Sequence, residues 1–120
     1  MHKKLTFYLL VLLLFVISFS SCARQFMDNQ LSFGIQAASK DLWDEAIFRW
    51  KKVVLFDPDS AAAHNNLAVA YEQKGLWEEA KNEYEIALKL GRGNTHIEAN
   101  YQNFKKNLEP FNKDKKDEKD

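Results

Sequence analysis

The chain has 120 residues, room for one small domain, and its 17 basic and 17 acidic side chains give a formal net charge of zero. That balance offers no electrostatic attraction for nucleic acid, and a single cysteine excludes an intramolecular disulfide. The 46% of hydrophobic residues would suit a compact core if they were evenly spread, but a large share is packed into the first twenty positions.

Met1-His2-Lys3-Lys4 is a short basic start, and Leu5 to Phe19 is almost wholly apolar. A positive segment, an apolar stretch of this length and small residues at Ser20 and Ser21 form the layout of a secretory signal. A permanent membrane helix needs about 20 predominantly apolar residues; extension through Ser18 to Ala23 would approach that, so an uncleaved anchor stands as the alternative. The chain's one cysteine, Cys22, follows Phe19-Ser20-Ser21 directly. This arrangement resembles a bacterial lipobox, with Phe19 where leucine is usual. The resemblance implies cleavage before Cys22, attachment of a diacylglyceryl group to that cysteine, usually with a further chain on its amine, and a tether on a membrane outside the cytoplasm. Cleavage there removes Lys3 and Lys4 and no acid, leaving a mature charge near −2. Two or more acyl chains hold a protein stably where one binds only marginally.

Residues 22–26 then read as a tether. Helices are expected near 28–40, 43–56, 61–74, 77–90 and 95–108. In the second, Trp43, Ala46, Ile47, Trp50, Val53, Val54 and Phe56 recur at helical spacing, and Asp57-Pro58-Asp59 ends it because the residue before proline is pushed out of the α region. Asp59 or Ser60 can cap the third, whose apolar face is Leu67, Ala68, Ala70 and Tyr71 and whose end is Lys74-Gly75. The fourth carries Trp77, Ala80, Tyr84, Ala87, Leu88 and Leu90 and stops at Gly91-Arg92-Gly93. The fifth starts at Thr95-His96-Ile97-Glu98, which fits a capping box. Its face is Ile97, Tyr101, Phe104 and Leu108, and Pro110 is expected to close it. Residues 110–120 are expected to be a disordered charged tail, with four lysines and four acids between Asn112 and Asp120.

A 34-residue echo organises these helices. Lys40-Asp41-Leu42-Trp43-Asp44-Glu45-Ala46 returns as Lys74-Gly75-Leu76-Trp77-Glu78-Glu79-Ala80, with five identities. A helix pair of this period cannot bury its apolar face alone, so copies must stack. The first copy offers Gln30, Phe33-Gly34, Ala37, Ala46, Trp50 and Pro58; the second offers His64, Leu67-Ala68, Tyr71, Ala80, Tyr84 and Arg92. These residues resemble tetratricopeptide repeats. The resemblance implies an all-α fold, a short α-solenoid spanning 27–109: repeats at about 27–60 and 61–94, then a capping helix at 95–108. It also implies a protein-binding surface. Some members clamp a peptide carboxylate with Lys and Asn, but at the matching places stand Leu31, Ile35 and Asn66, then His96 and Asn100, and Asn66 alone agrees.

Two surfaces are candidates for binding. Leu31, Ile35 and Val69, flanked by Asn65, Asn66 and Glu72, would form an apolar groove with polar edges, suited to a peptide or helix with apolar side chains; the alternative is that Leu31 and Ile35 pack against the third helix. Phe48 and Leu55, seven residues apart on one helical face, occupy positions where the second repeat has Asn82 and Lys89. They make a partner patch or lie against the tether. Catalysis has little to work with. His64 and His96 open different helices with no cysteine or paired carboxylate at metal-ligand spacing, no phosphate loop or nucleophile motif occurs, and no cofactor is expected. Asp44-Glu45 and Glu78-Glu79 sit where helix dipoles favour acids. The sequence therefore reads as a non-enzymatic, lipid-anchored adaptor of the bacterial cell envelope that binds a protein or peptide and assists assembly of an envelope complex. A self-associating or stacking subunit, and a pilotin-like accessory factor of a secretion or pilus system, are the alternatives.

Overall fold

The computed structural model describes residues 2–117, with side chains at 4–17 and 21–110. Five helices follow in order: α1 (His2–Ala38), α2 (Trp43–Phe56), α3 (Ala61–Gln73), α4 (Trp77–Leu90) and α5 (Thr95–Asp117). No strand occurs among the described residues.

The first correction concerns the tether. Residues 22–26, read as a tether ahead of a helix near 28–40, are themselves helical and part of α1, which runs unbroken for 37 residues. Nothing in Cys22-Ala23-Arg24-Gln25-Phe26 breaks a helix, since neither Gly nor Pro is present, and Gln25 donates from Nε2 to Asn29 Oδ1 one turn on, at 3.1 Å. The apolar N-terminal segment and the first helix of the solenoid are one rod, about 55 Å long at 1.5 Å per residue. It accounts for the elongated outline of 82 × 29 × 25 Å.

The 34-residue period is written into the backbone. Leu42 N–H donates to Ala37 O at 3.0 Å, and Leu76 N–H to Tyr71 O at 2.9 Å, closing the turn within each helix pair. Ser60 N–H donates to Asp57 O at 3.2 Å, and Asn94 N–H to Gly91 O at 3.0 Å, closing the turn after each pair. Each inner turn needs one residue at positive φ; the second repeat supplies Gly75 at 71° and the first Asp41 at 58°. Asp is among the few side chains that enter this region at modest cost.

Packing then follows from residue size. Ala46, Ala68 and Ala80 have no exposed surface, because a methyl group lets neighbouring helix axes approach. Gly34 allows a still closer approach: a Cβ there would overlap the indole of Trp50. Trp50 Nε1 donates to Leu31 O at 3.3 Å, and Phe26 meets Phe56 edge to face at 5.5 Å. Residue 31 beside 50 and 26 beside 56 make α1 and α2 antiparallel. Leu67, Tyr71 and Tyr84 continue the core between α3 and α4.

The α5 helix docks through aromatic rings. Phe104 and Ile97 are buried, and Phe104 lies 5.1 Å from Tyr84 and 6.2 Å from Trp77 between centroids, within the range where offset and edge contacts are favourable. Two expectations for α5 change. Its cap is Asn94, whose Oδ1 accepts from His96 N–H at 3.0 Å and Ile97 N–H at 3.3 Å; Thr95 is already helical, so no Thr95-Glu98 box forms. Asn94 lies 34 residues after Ser60, whose Oγ caps α3 by accepting from Ala63 N–H at 3.4 Å, so the period places both caps. Nor does Pro110 close the helix, which continues to Asp117. Proline deletes the N–H that would bond the Lys106 carbonyl, but that carbonyl belongs to an exposed turn, where water can take the missing partner's place. Of the expected disordered tail, 110–117 is helical and 118–120 lie outside the described residues.

Candidate interaction surfaces

The first candidate surface is drawn from α1, with Leu31 and Ile35, and from α3, with Asn65, Asn66, Val69 and Glu72. Leu31 and Val69 are partly buried and packed against the core. Asn65 and Glu72 tie α3 to the capping helix: Asn100 Nδ2 donates to Asn65 Oδ1 at 3.1 Å, and Asn107 Nδ2 to Glu72 Oε1 at 2.8 Å. Glu72 also accepts from the Tyr84 hydroxyl at 3.0 Å, so it joins α3, α4 and α5. Asn66 is half-buried. Ile35 is left as the open apolar residue, at 57% exposure. The six groove residues are thus divided between structural and open roles.

Burial, with the Glu72 carboxylate and its hydrogen bond adding to it, pushes the Tyr84 phenol well above the usual tyrosine range. Tyr84 therefore stays a neutral donor. His64 is a structural clamp of the same kind: its Nδ1 meets Glu83 Oε2 at 2.5 Å and its Nε2 meets Pro58 O at 2.9 Å. Both ring nitrogens are engaged by the protein itself. Among the described residues no group of three or more His, Cys, Asp and Glu side chains converges as a metal centre would.

The second surface lies on the outer side of the first helix pair. Phe48 is 50% exposed and Leu55 75%, and the two ends of this stripe have different neighbours. Around Phe48 the neighbours are cationic: Lys52 Nζ stands 4.3 Å above its ring. Arg49 lies 5.8 Å from the Phe48 centroid and 5.6 Å from that of Phe33. Arg49 is held in place by Glu45 Oε1 at 2.6 Å and Gln30 Oε1 at 3.3 Å. Phe33, Arg49 and Phe48 thus form one ribbon across α1 and α2, in which cation and ring attract. Leu55 is followed on the chain by Phe56, which meets Phe26 across the helix pair.

Phe33 corrects its motif assignment. It stands 34 residues before Leu67 and should be buried like it, yet it is 48% exposed, where Leu67 is closed off in the core. Helix α3 packs against α2 as well as α4, whereas before α1 no further helix pair exists to cover Phe33 among the described residues. Phe33 and Arg49 are surface partners that sequence reasoning misses. The usable signal is the missing preceding copy, which leaves the first repeat's stacking positions open.

Two family models match. Residues 39–75 match a model described as TPR repeat, and residues 61–94 one described as tetratricopeptide repeat. The second match has the bounds of the helix pair α3 and α4 with its flanking turns. Residues 39–94 are thus similar to tetratricopeptide repeats. The fold extends the reading beyond the matched residues, since Gly34 of α1 meets Trp50 of α2 at positions 34 residues before Ala68 and Tyr84. Nothing among curated proteins matches the chain. Tetratricopeptide repeats are modules for protein partners, and the exposed Phe33, Arg49 and Phe48 ribbon is where this copy departs from a polar outer face.

Proposed function

We propose that the protein is a lipid-anchored, non-enzymatic adaptor of the bacterial cell envelope, held at the membrane through Cys22 and engaging a protein partner in an envelope assembly. The observation that carries the reading is the junction of two parts in one helix. The first half of α1 leaves its large apolar side chains from Leu5 to Ile17 open on all sides, and its second half is the first helix of the solenoid. The exposed half requires an apolar environment or removal, and Cys22, exposed, stands at the joint. The partner surface is the Phe33, Arg49 and Phe48 ribbon, because exposed aromatic clusters with fixed cations have the composition of interface hot spots.

Intact mass of the membrane-fraction protein, wild type beside Cys22→Ala, tests the anchor. Cleavage before Cys22 plus acyl chains, lost in the variant, is the expected result; an unmodified full-length chain would mean that α1 itself is the anchor. A photo-crosslinking residue at Phe48, compared with one at the matching Asn82, tests the surface. The Phe48 probe should capture a discrete heterologous protein and the Asn82 probe should not. Capture of a second copy instead would favour the self-associating reading, which the uncovered first repeat also supports.

A further inference from the structure

The patch around Leu55 sits elsewhere than the Phe48 ribbon and has a different chemistry. Cys22, Ala23, Phe26, Met27 and Phe56 line an open apolar cleft of about 380 Å³ between α1 and the end of α2. Phe56 is 64% exposed and Leu55 more so. Because α2 is antiparallel to α1, its last turn points back along α1 toward the apolar leader. The loop of residues 57–60 and the later turn at 91–94 lie at this same end of the solenoid, since each follows two antiparallel helices. We infer that this end is seated on the bilayer, with Phe26, Leu55 and Phe56 inserted at the boundary between headgroups and hydrocarbon.

The inference rests on the membrane tether proposed above, and the geometry of α1 determines where that tether puts the patch. The run Leu5 to Phe19 covers about 22 Å as a helix, short of a hydrocarbon layer of about 30 Å. The helix therefore sinks or the bilayer thins, drawing the boundary toward Cys22 and Arg24. If the leader is cleaved and Cys22 acylated, Cys22 itself lies at that boundary. Either way Phe26 is one turn beyond, about 6 Å, and its ring contact with Phe56 brings the end of α2 to the same depth. Aromatic side chains are favoured at this depth.

Charge separates this contact from an electrostatic one. Asp57 and Asp59 follow Phe56 directly and would be repelled by anionic headgroups, while Arg24 on α1, Lys52 on α2 and Arg92 in the 91–94 turn supply bases at the same end, so the two signs offset. Apolar insertion, indifferent to anionic lipid and to salt, is the mode that fits.

The test uses the full chain in phosphatidylcholine vesicles. Cys22→Ser removes the competing thiol and leaves the apolar helix as tether; a nitroxide is then placed at Leu55→Cys or, at the opposite end of the solenoid, at Leu76→Cys. Both positions are exposed, so neither label disturbs the core. The expected result is a several-fold higher ratio of oxygen to aqueous nickel-complex accessibility at 55 than at 76, unchanged in high salt. Equal, fully aqueous accessibility at both sites in protein that floats with the vesicles would overturn the seating and leave the tether standing. Protein that fails to float would overturn both.

Discussion

Gly34 and Trp50 in the first repeat correspond to Ala68 and Tyr84 in the second, a larger ring matched by a smaller partner. The indole lies so close to Gly34 that an added Cβ would overlap Nε1, Cε2 and Cδ1, all within 2.7 Å. The ring cannot retreat freely, because Nε1 is bonded to Leu31 O. Gly34→Ala should therefore destabilise the fold by about 1–3 kcal/mol through overpacking, although alanine in a helix is otherwise worth about 1 kcal/mol over glycine. In a Trp50→Tyr background the same substitution should cost much less, since it recreates the Ala68 and Tyr84 pair. Urea unfolding of the four proteins measures the coupling; a Gly34→Ala variant more stable than wild type would show that close approach is not what selects glycine here.

At the scale of elements, the α3, α4 and α5 junction is closed by one carboxylate. Glu72 accepts from Tyr84 and from Asn107, and burial together with that carboxylate raises the Tyr84 phenol above its ordinary range. A group whose folded-state value is raised contributes stability that is present below the unfolded value and lost as pH climbs toward the folded one. For a phenol the unfolded value is about 10, so stability should begin to fall above that pH. In an absorbance titration the phenolate band should stay short of the full tyrosine complement until unfolding supplies the remainder. Glu72→Gln should bring Tyr84 into an earlier range by removing the charge. A Tyr84 that ionises while the chain is still folded, near the ordinary phenol value, would refute the buried hydrogen bond.

This junction also shows what the sequence could carry. Ile97, Tyr101, Phe104 and Leu108 were readable as the docking face of α5 because helical period alone determines it, and α2 and α4 have the boundaries expected because Pro58, Gly75 and Gly91 punctuate the chain. The roles of Asn65 and Glu72 were not readable: both look like polar groove edges until α5 is known to lie 35 residues away in sequence and one hydrogen bond away in space. The cap at Asn94 is hidden behind a better-looking Thr95-Glu98 pattern, though the 34-residue offset from Ser60 points to it. The tether is misleading for a different reason. A helix continues through residues 22–26 because neither Gly nor Pro stands there to stop it.

For the whole molecule, the continuity of α1 raises the question of where the folded unit begins. The described side chains from Lys4 to Ile17 are all exposed, so this apolar half of α1 contributes no packing to the solenoid. The second half of α1 does contribute, with Leu31, Gly34 and Ala37 lying against Trp50 and the core around it. A solenoid is stabilised by its intrinsic repeats and by the interfaces between neighbours, and two pairs plus a cap is already near the minimum. A chain starting at Cys22 should therefore unfold in urea with a free energy and slope close to those of the detergent-solubilised full-length protein. A chain starting at Ser39 uncovers the Trp50 face of α2, whose buried apolar side chains are worth about 1.5–3 kcal/mol each, and losing several of them is comparable with the total stability of a small domain. It should be unfolded or self-associated, as circular dichroism and sedimentation would read directly. If the Ser39 chain instead stayed folded and monomeric, α1 would be an anchor that merely lies beside the repeats, and the first helix pair would have to be struck from the solenoid.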